Sequence, residues 1–170
     1  AQQFLKLDKV IMLPAGDPYL KRNTLTASKM DRYNMVSLAI EEFQFLDISD
    51  IEILRSGPSY TVDSVRHFKR DGDTVVVLLG IDSVIDMDNW NDPHALHNEC
   101  EVIGLTRPGV EIENSDAFLS RQEKYSIKTI EANSSLISSS EIRELIRQGA
   151  DVKDMLPWPV YEYIQKKKLY

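Results

Sequence analysis

Three consecutive serines ahead of an arginine are the residues here with the plainest chemical capability. Ser138-Ser139-Ser140-Glu141-Ile142-Arg143 sets hydroxyls and the unpaired N–H groups of a helix start beside a guanidinium one turn on, a donor set that suits phosphate oxygens. The same spacing also makes a capping box, Ser138 with Glu141, in which Ser138 only caps the helix and Arg143 stays in water. In Gly57-Pro58-Ser59-Tyr60-Thr61-Val62-Asp63, Ser59 and Thr61 either cap a helix or present amides to a small carboxylate. Gly80, in Leu79-Gly80-Ile81-Asp82, lets a flat ring approach the backbone, and Asp82 either holds a ribose hydroxyl or caps the next helix. Trp90 either stacks on a heteroaromatic ring or serves packing alone. Two more turn segments, Pro14-Ala15-Gly16-Asp17-Pro18-Tyr19-Leu20-Lys21 and Thr106-Arg107-Pro108-Gly109, complete the set.

Other clusters read as structure. His94 and His97 stand three apart, but no third His or Cys is near and Pro93 suggests a helix start, so no metal site is expected. Asp82, Asp86 and Asp88 read as an acidic helix face in water. Lys166 to Lys168 complement the negative end of a helix dipole.

The segments singled out follow strands or open helices. Apolar runs ended by turn residues predict strands at 9–13, 47–54, 74–79, 101–105 and 126–130. Between them, Ser28 with Asp31 opens a helix whose stripe is Met35, Leu38, Ala39, Phe43 and Leu46, and a second helix after Thr61 buries Val62, Val65 and Phe68. Residues 110–124 read as a loop or a short helix. Ile142, Leu145 and Ile146 line the helix from Ser138 until Gly149 caps it, and Pro159 opens a terminal helix. This alternation predicts an α/β fold with a mainly parallel sheet and helices on both faces, in one domain over 1–170. Ligands of such sheets lie beyond the carboxyl ends of the strands, where these segments fall.

Composition narrows the function classes. The chain has 170 residues, 42% hydrophobic, and a formal net charge of −7, enough apolar material for one core and the wrong sign for non-specific nucleic acid or anionic membrane binding. No apolar run approaches the roughly 20 residues that span a bilayer, and no signal peptide opens the sequence. The single cysteine, Cys100, cannot form an internal disulfide, which fits a reducing compartment and predicts a cytoplasmic protein. Residues 1–8 read as the last turns of a helix running into the first predicted strand, so the opening strand of that βαβ unit is expected ahead of Ala1.

In this order, Gly57 to Asp63, Leu79 to Asp82 with Trp90, Arg107-Pro108-Gly109 and Ser138 to Arg143 resemble the bacterial nicotinate-nucleotide adenylyltransferases over nearly the whole chain. The ending from Leu156-Pro157 to Lys168-Leu169-Tyr170 is similar to that family's last helix. The resemblance implies a Rossmann-like nucleotidyltransferase that joins ATP to nicotinate mononucleotide, giving nicotinate adenine dinucleotide and pyrophosphate in NAD biosynthesis. It implies Mg2+ carried in with ATP rather than held by a dedicated protein site. Ser138, Ser139, Ser140 and Arg143 would hold the ATP phosphates; Gly80, Asp82 and Arg107 would lie by the nucleotide; Lys21, Tyr60, Thr61 and Trp90 would bind the mononucleotide.

Two departures are visible. Pro18-Tyr19-Leu20-Lys21 replaces the Pro-His-Lys of many members, and Ser140 stands where threonine is common, which keeps the hydroxyl. The family's first motif, a Gly-rich turn ending in His-x-Gly-His, is absent and is expected ahead of Ala1, leaving the catalytic residues unassigned. Without that turn most of the rate should be lost, because such transfers rely on positioning and charge stabilisation. Two alternatives follow: a non-catalytic nucleotide-binding protein, or a related adenylyltransferase acting on another phosphorylated substrate. A homo-oligomer and the preference for nicotinate over nicotinamide mononucleotide are left open.

Overall fold

The computed structural model describes residues 2–18, 27–70, 72–106, 115–132 and 137–170. In chain order the regular elements are α1 (Gln2–Leu5), β1 (Val10–Met12), α2 (Lys29–Ile40), β2 (Leu46–Ile48), α3 (Ile51–Leu54), α4 (Thr61–Arg70), β3 (Val76–Gly80), α5 (Ile81–Ile85), α6 (Pro93–Glu99), β4 (Glu101–Thr106), α7 (Asp116–Lys124), β5 (Lys128–Glu131), α8 (Ser139–Arg147) and α9 (Trp158–Lys167). Single 3-10 turns lie at Asp86–Asn89 and Lys153–Met155. The elements fall into two compact units, one from residues 2–59 and 135–170, the other from residues 60–134.

In the 60–134 unit three strands pair in the order β3-β4-β5, all parallel, with Gly80 opposite Leu105 and Thr106 opposite Glu131. Parallel neighbours need crossover connections, which α5 to α7 supply. α4 packs on α6 and α5 on α7. The interior is apolar and closed: Val84, Met87, Leu96 and Ile103 are at most 1% exposed, and Phe118 and Tyr125 2%. Val62 and Val65 join this core, as the spacing of α4 predicts.

In the other unit β1 and β2 pair in parallel, Val10 against Leu46 and Met12 against Ile48. α2 and α8 bury no residue fully, whereas α9 buries Val160 and Ile164, one turn apart. Polar contacts tie α2 to α9. Asp31 accepts from Ser28 Oγ (2.5 Å) and from Tyr163 OH (2.8 Å), while Asn34 donates to the same phenol oxygen at 2.9 Å. These donors, Ser28 foremost, hold the Asp31 carboxyl below the usual carboxylate range. The sheets are parallel with helices on both faces, as the alternation predicts.

Three local expectations need correction. The strand expected at 47–54 ends at Ile48, and Ile51–Leu54 is helical, closed by Leu54 N–H to Asp50 O at 2.9 Å. The step from Ile48 to Ile51 is three residues, a helical rather than an alternating period. The stripe assigned to α2 ran too far: the helix stops at Ile40, Phe43 is 47% exposed, and Leu46 belongs to β2. Asp88 is more than a solvated carboxylate. It accepts from Tyr125 OH at 2.6 Å and from Lys124 Nζ at 2.8 Å, and pairs with Arg121 at 2.9 Å. Its pKa is drawn down to about 2, chiefly by the Lys124 hydrogen bond and then by that of Tyr125. This knot fastens α7, whose single fully buried side chain, Phe118, gives no period for a sequence to reveal.

Candidate functional site

The serine-rich turn folds as the capping box its spacing predicts. Ser138 Oγ accepts from Glu141 N–H at 3.1 Å, and the Glu141 carboxylate accepts from Ser138 N–H at 2.7 Å. That backbone donor is the main cause of a lowered Glu141 pKa. Capping engages the Ser138 hydroxyl, while Ser139 and Ser140 occupy the first two helical positions, whose N–H groups have no intrahelical partner. Arg143 does not simply lie in water: it donates to Ser140 Oγ at 3.0 Å, and its guanidinium carbon stands 6.0 Å from the centre of the Tyr170 ring. Helix dipole, two N–H donors, exposed hydroxyls and a half-buried guanidinium thus meet on one turn.

The loop after β1 is fixed by two side chains, Arg32, which the sequence analysis did not single out, and Ser59, which it read as a helix cap or a carboxylate site. Arg32 donates to the carbonyls of Ala15, Gly16 (3.0 Å) and Ala27 (3.0 Å). Ser59 Oγ accepts from Gly16 N–H at 3.2 Å and Asp17 N–H at 3.4 Å, and Ser59 N–H donates to Asp17 O at 3.0 Å. Ser59 therefore fastens this loop and does not cap α4. A side chain at Gly16 would place its first carbon 1.9 Å from Glu52 O, so only glycine fits. The one sequence signal for Arg32 is its place in the first turn of α2, where a cation opposes the helix dipole and needs another reason to be there.

In the 60–134 unit, Gly80 ends β3 and caps α5 through its backbone. Asp82 sits inside the first turn of α5 with an exposed side chain, so it is not the cap. Tyr60 precedes α4, its carbonyl accepting from Asp63 N–H at 3.1 Å and Ser64 N–H at 3.4 Å, and Thr61 is the first helical residue. Trp90 closes the 3-10 turn, donating its N–H to Met87 O at 3.0 Å. Tyr60 and Trp90 are half-buried against the same apolar core. Lys21 and Arg107 lie outside the described residues. The structure thus groups Ser138, Ser139, Ser140 and Arg143 on one turn, Gly80 with Asp82 on another, and Tyr60 with Trp90 on one core.

The cytidylyltransferase-like family model matches residues 1–145. A Clostridium tetani protein named "Probable nicotinate-nucleotide adenylyltransferase" is 34% identical, the match covering 98% of this chain and 86% of its own. One of the same name from a Thermoanaerobacter species is 37% identical, covering 97% and 81%. The chain belongs to the nicotinate-nucleotide adenylyltransferases. Its fold is also that of the Plasmodium falciparum nicotinic acid mononucleotide adenylyltransferase solved in complex with NaAD, with a TM-score of 0.70 at 18% identity over 94% of this chain and 81% of that one. As a nicotinate-nucleotide adenylyltransferase it is a transferase, and among its described residues no helix is long and apolar enough to cross a membrane.

Proposed function

We infer that the two groups of candidate residues divide the substrates of the family's reaction between them. The reaction transfers the adenylyl group of ATP to nicotinate mononucleotide, releasing pyrophosphate and forming nicotinate adenine dinucleotide in NAD biosynthesis. A phosphate oxygen of the mononucleotide forms the new bond to the α-phosphorus, the bridge to the β-phosphate breaks, and the leaving pyrophosphate carries the charge. Such a transfer is driven by positioning and by donors aimed at the growing charge.

Ser139 and Ser140 supply N–H groups and hydroxyls to the ATP phosphates, Ser138 sets the turn, and Arg143 supplies the cation. The observation that carries this reading is Arg143 NH2 held 3.0 Å from Ser140 Oγ at the start of a helix. Gly80 and Asp82, with Arg107, lie along the nucleotide. Amides around Tyr60 and Thr61 take the nicotinate carboxylate, Trp90 stacks on the pyridine ring, and Lys21 binds the mononucleotide. Mg2+ arrives on the ATP phosphates, as the resemblance to the family implies. The family match runs unbroken from 1 to 145 across both compact units, which supports one nucleotidyltransferase domain. The net charge of −7 disfavours nucleic acid while leaving local cations and helix N-termini to bind small anions, and the single cysteine suits a cytoplasmic enzyme.

The test follows pyrophosphate release and, separately, calorimetric binding of each substrate. Arg143→Ala should weaken ATP about 10- to 100-fold, the worth of a charged hydrogen bond, with less effect on the mononucleotide. Trp90→Ala should weaken the mononucleotide about 2- to 10-fold, as aromatic stacking predicts, and spare ATP. Equal effects on both substrates in either variant would overturn the division.

A further inference from the structure

Tyr170 is engaged by the candidate phosphate-binding arginine, Arg143. After α9 the chain turns at Lys168, which takes the left-handed conformation (φ 52°), and Leu169 N–H donates back to Ile164 O at 3.1 Å. Side-chain-bearing residues seldom adopt that conformation. The turn lets Leu169 and Tyr170 line, with Ile146 of α8 and Ile164 of α9, a cavity of about 470 Å3. Tyr170 is half-buried, and the Arg143 guanidinium lies over its ring, 6.0 Å from the centre. Arg32, which clamps the Ala15 and Gly16 carbonyls, acts electrostatically on Tyr170 as well, with the Asp31 carboxylate opposing. Burial, the largest influence, raises the phenol pKa and keeps it protonated, so what the ring offers a cation is its neutral π face.

An arginine side chain has several rotatable bonds, and one held by a single hydroxyl, Ser140, is poorly fixed. A second contact, from the Tyr170 ring, takes up none of the guanidinium's N–H donors by a hydrogen bond and restricts where they point. The geometry points to Tyr170 as a positioning residue that holds Arg143 in the orientation it needs for the ATP phosphates. This rests on the phosphate-binding reading of Arg143. Tyr170 acts through Arg143 and not by touching substrate.

A double-mutant cycle on the full chain, read by calorimetric titration with ATP and with nicotinate mononucleotide, tests this. Tyr170→Leu keeps apolar bulk and loses the ring face; Tyr170→Phe keeps the face and loses the hydroxyl. Tyr170→Leu should weaken ATP about 3- to 10-fold, the range of a partly desolvated cation–π contact, and leave the mononucleotide within about twofold. Tyr170→Phe should bind ATP as the parent does. In an Arg143→Ala background, Tyr170→Leu should have no further effect, because the group it positions is gone. Equal losses with and without Arg143, equal losses for both ligands, or no loss in Tyr170→Leu while Arg143→Ala weakens ATP would overturn the positioning role alone. Unchanged ATP binding in Arg143→Ala would overturn the phosphate reading, and this inference with it.

Discussion

The two compact units are held together by different physics. The 60–134 unit closes on an apolar interior, with Val84, Met87, Leu96, Phe118 and Tyr125 essentially removed from water. The other unit buries Ile53, Val152, Val160 and Ile164 and adds polar clamps: Arg32 on three carbonyls, Ser59 on two amides, Asp31 on Ser28 and Tyr163. The difference matches what each is proposed to bind. A flat ring is served by a rigid apolar wall against which Tyr60 and Trp90 pack, whereas phosphates need directed N–H and guanidinium donors, which only hydrogen bonds can aim. Packing tolerates small changes of direction; a misaimed donor is lost.

The comparison is broken most sharply by deleting an apolar anchor. Phe118→Ala should destabilise the protein by about 3–5 kcal/mol, transfer and cavity terms together, read as the midpoint of denaturant unfolding. A loss below about 1 kcal/mol would mean that this core repacks and that its apolar closure is not what holds the unit. Next comes a polar clamp. Ser59→Ala removes the acceptor for the Gly16 and Asp17 amides, and an unpaired buried amide costs about 1–3 kcal/mol. Stability equal to the parent's would show the clamp to be decoration.

The smallest effect sharpens the contrast from inside the apolar unit, where Asp88 makes a polar knot to α7. A carboxyl whose pKa falls on folding, here from 3.8 to about 2, stabilises the folded state above its unfolded value. That contribution drains away as the pH drops through the interval toward 2. Asp31, Glu99, Glu141 and Glu144 shift in the same direction, so the parent protein loses stability in acid. Asp88→Asn should shrink that loss below about pH 4 and leave the slope at neutral pH alone. Thermal melts of both proteins across the acid range decide it; identical acid limbs would mean that the knot with Lys124 and Tyr125 does not form in solution.

Much of the fold could be read from residue order because its signals are local. Ser28 with Asp31 and Ser138 with Glu141 cap α2 and α8 as their spacing predicts, and the β-branched run before Gly80 is β3. The readings that failed lacked a local signal. Ile51 to Leu54 alternates too briefly to separate a strand from a turn of helix, and α7 has one buried apolar residue and so no stripe. At the site, Ser138 to Arg143 could be read because one helix turn carries the whole group. Asp82 as a helix cap, and Ser59 as the cap of α4, could not be checked without knowing where each helix starts.

The sequence by itself determined the chemistry available: serines and an arginine at a helix start, aromatic residues after strands, a negative net charge, and the order of motifs that marks a nicotinate-nucleotide adenylyltransferase. These are properties of residue type and spacing along the chain, and a helix turn converts spacing into proximity directly. Only the tertiary structure decided what those residues lean on. That Arg143 meets Tyr170, that Arg32 grips the Gly16 loop, and that Ser59 accepts amides from residues 42 and 43 positions away depends on parallel strand pairing and helix packing. Such contacts join segments far apart in the chain, and nothing in the spacing of either partner records the other.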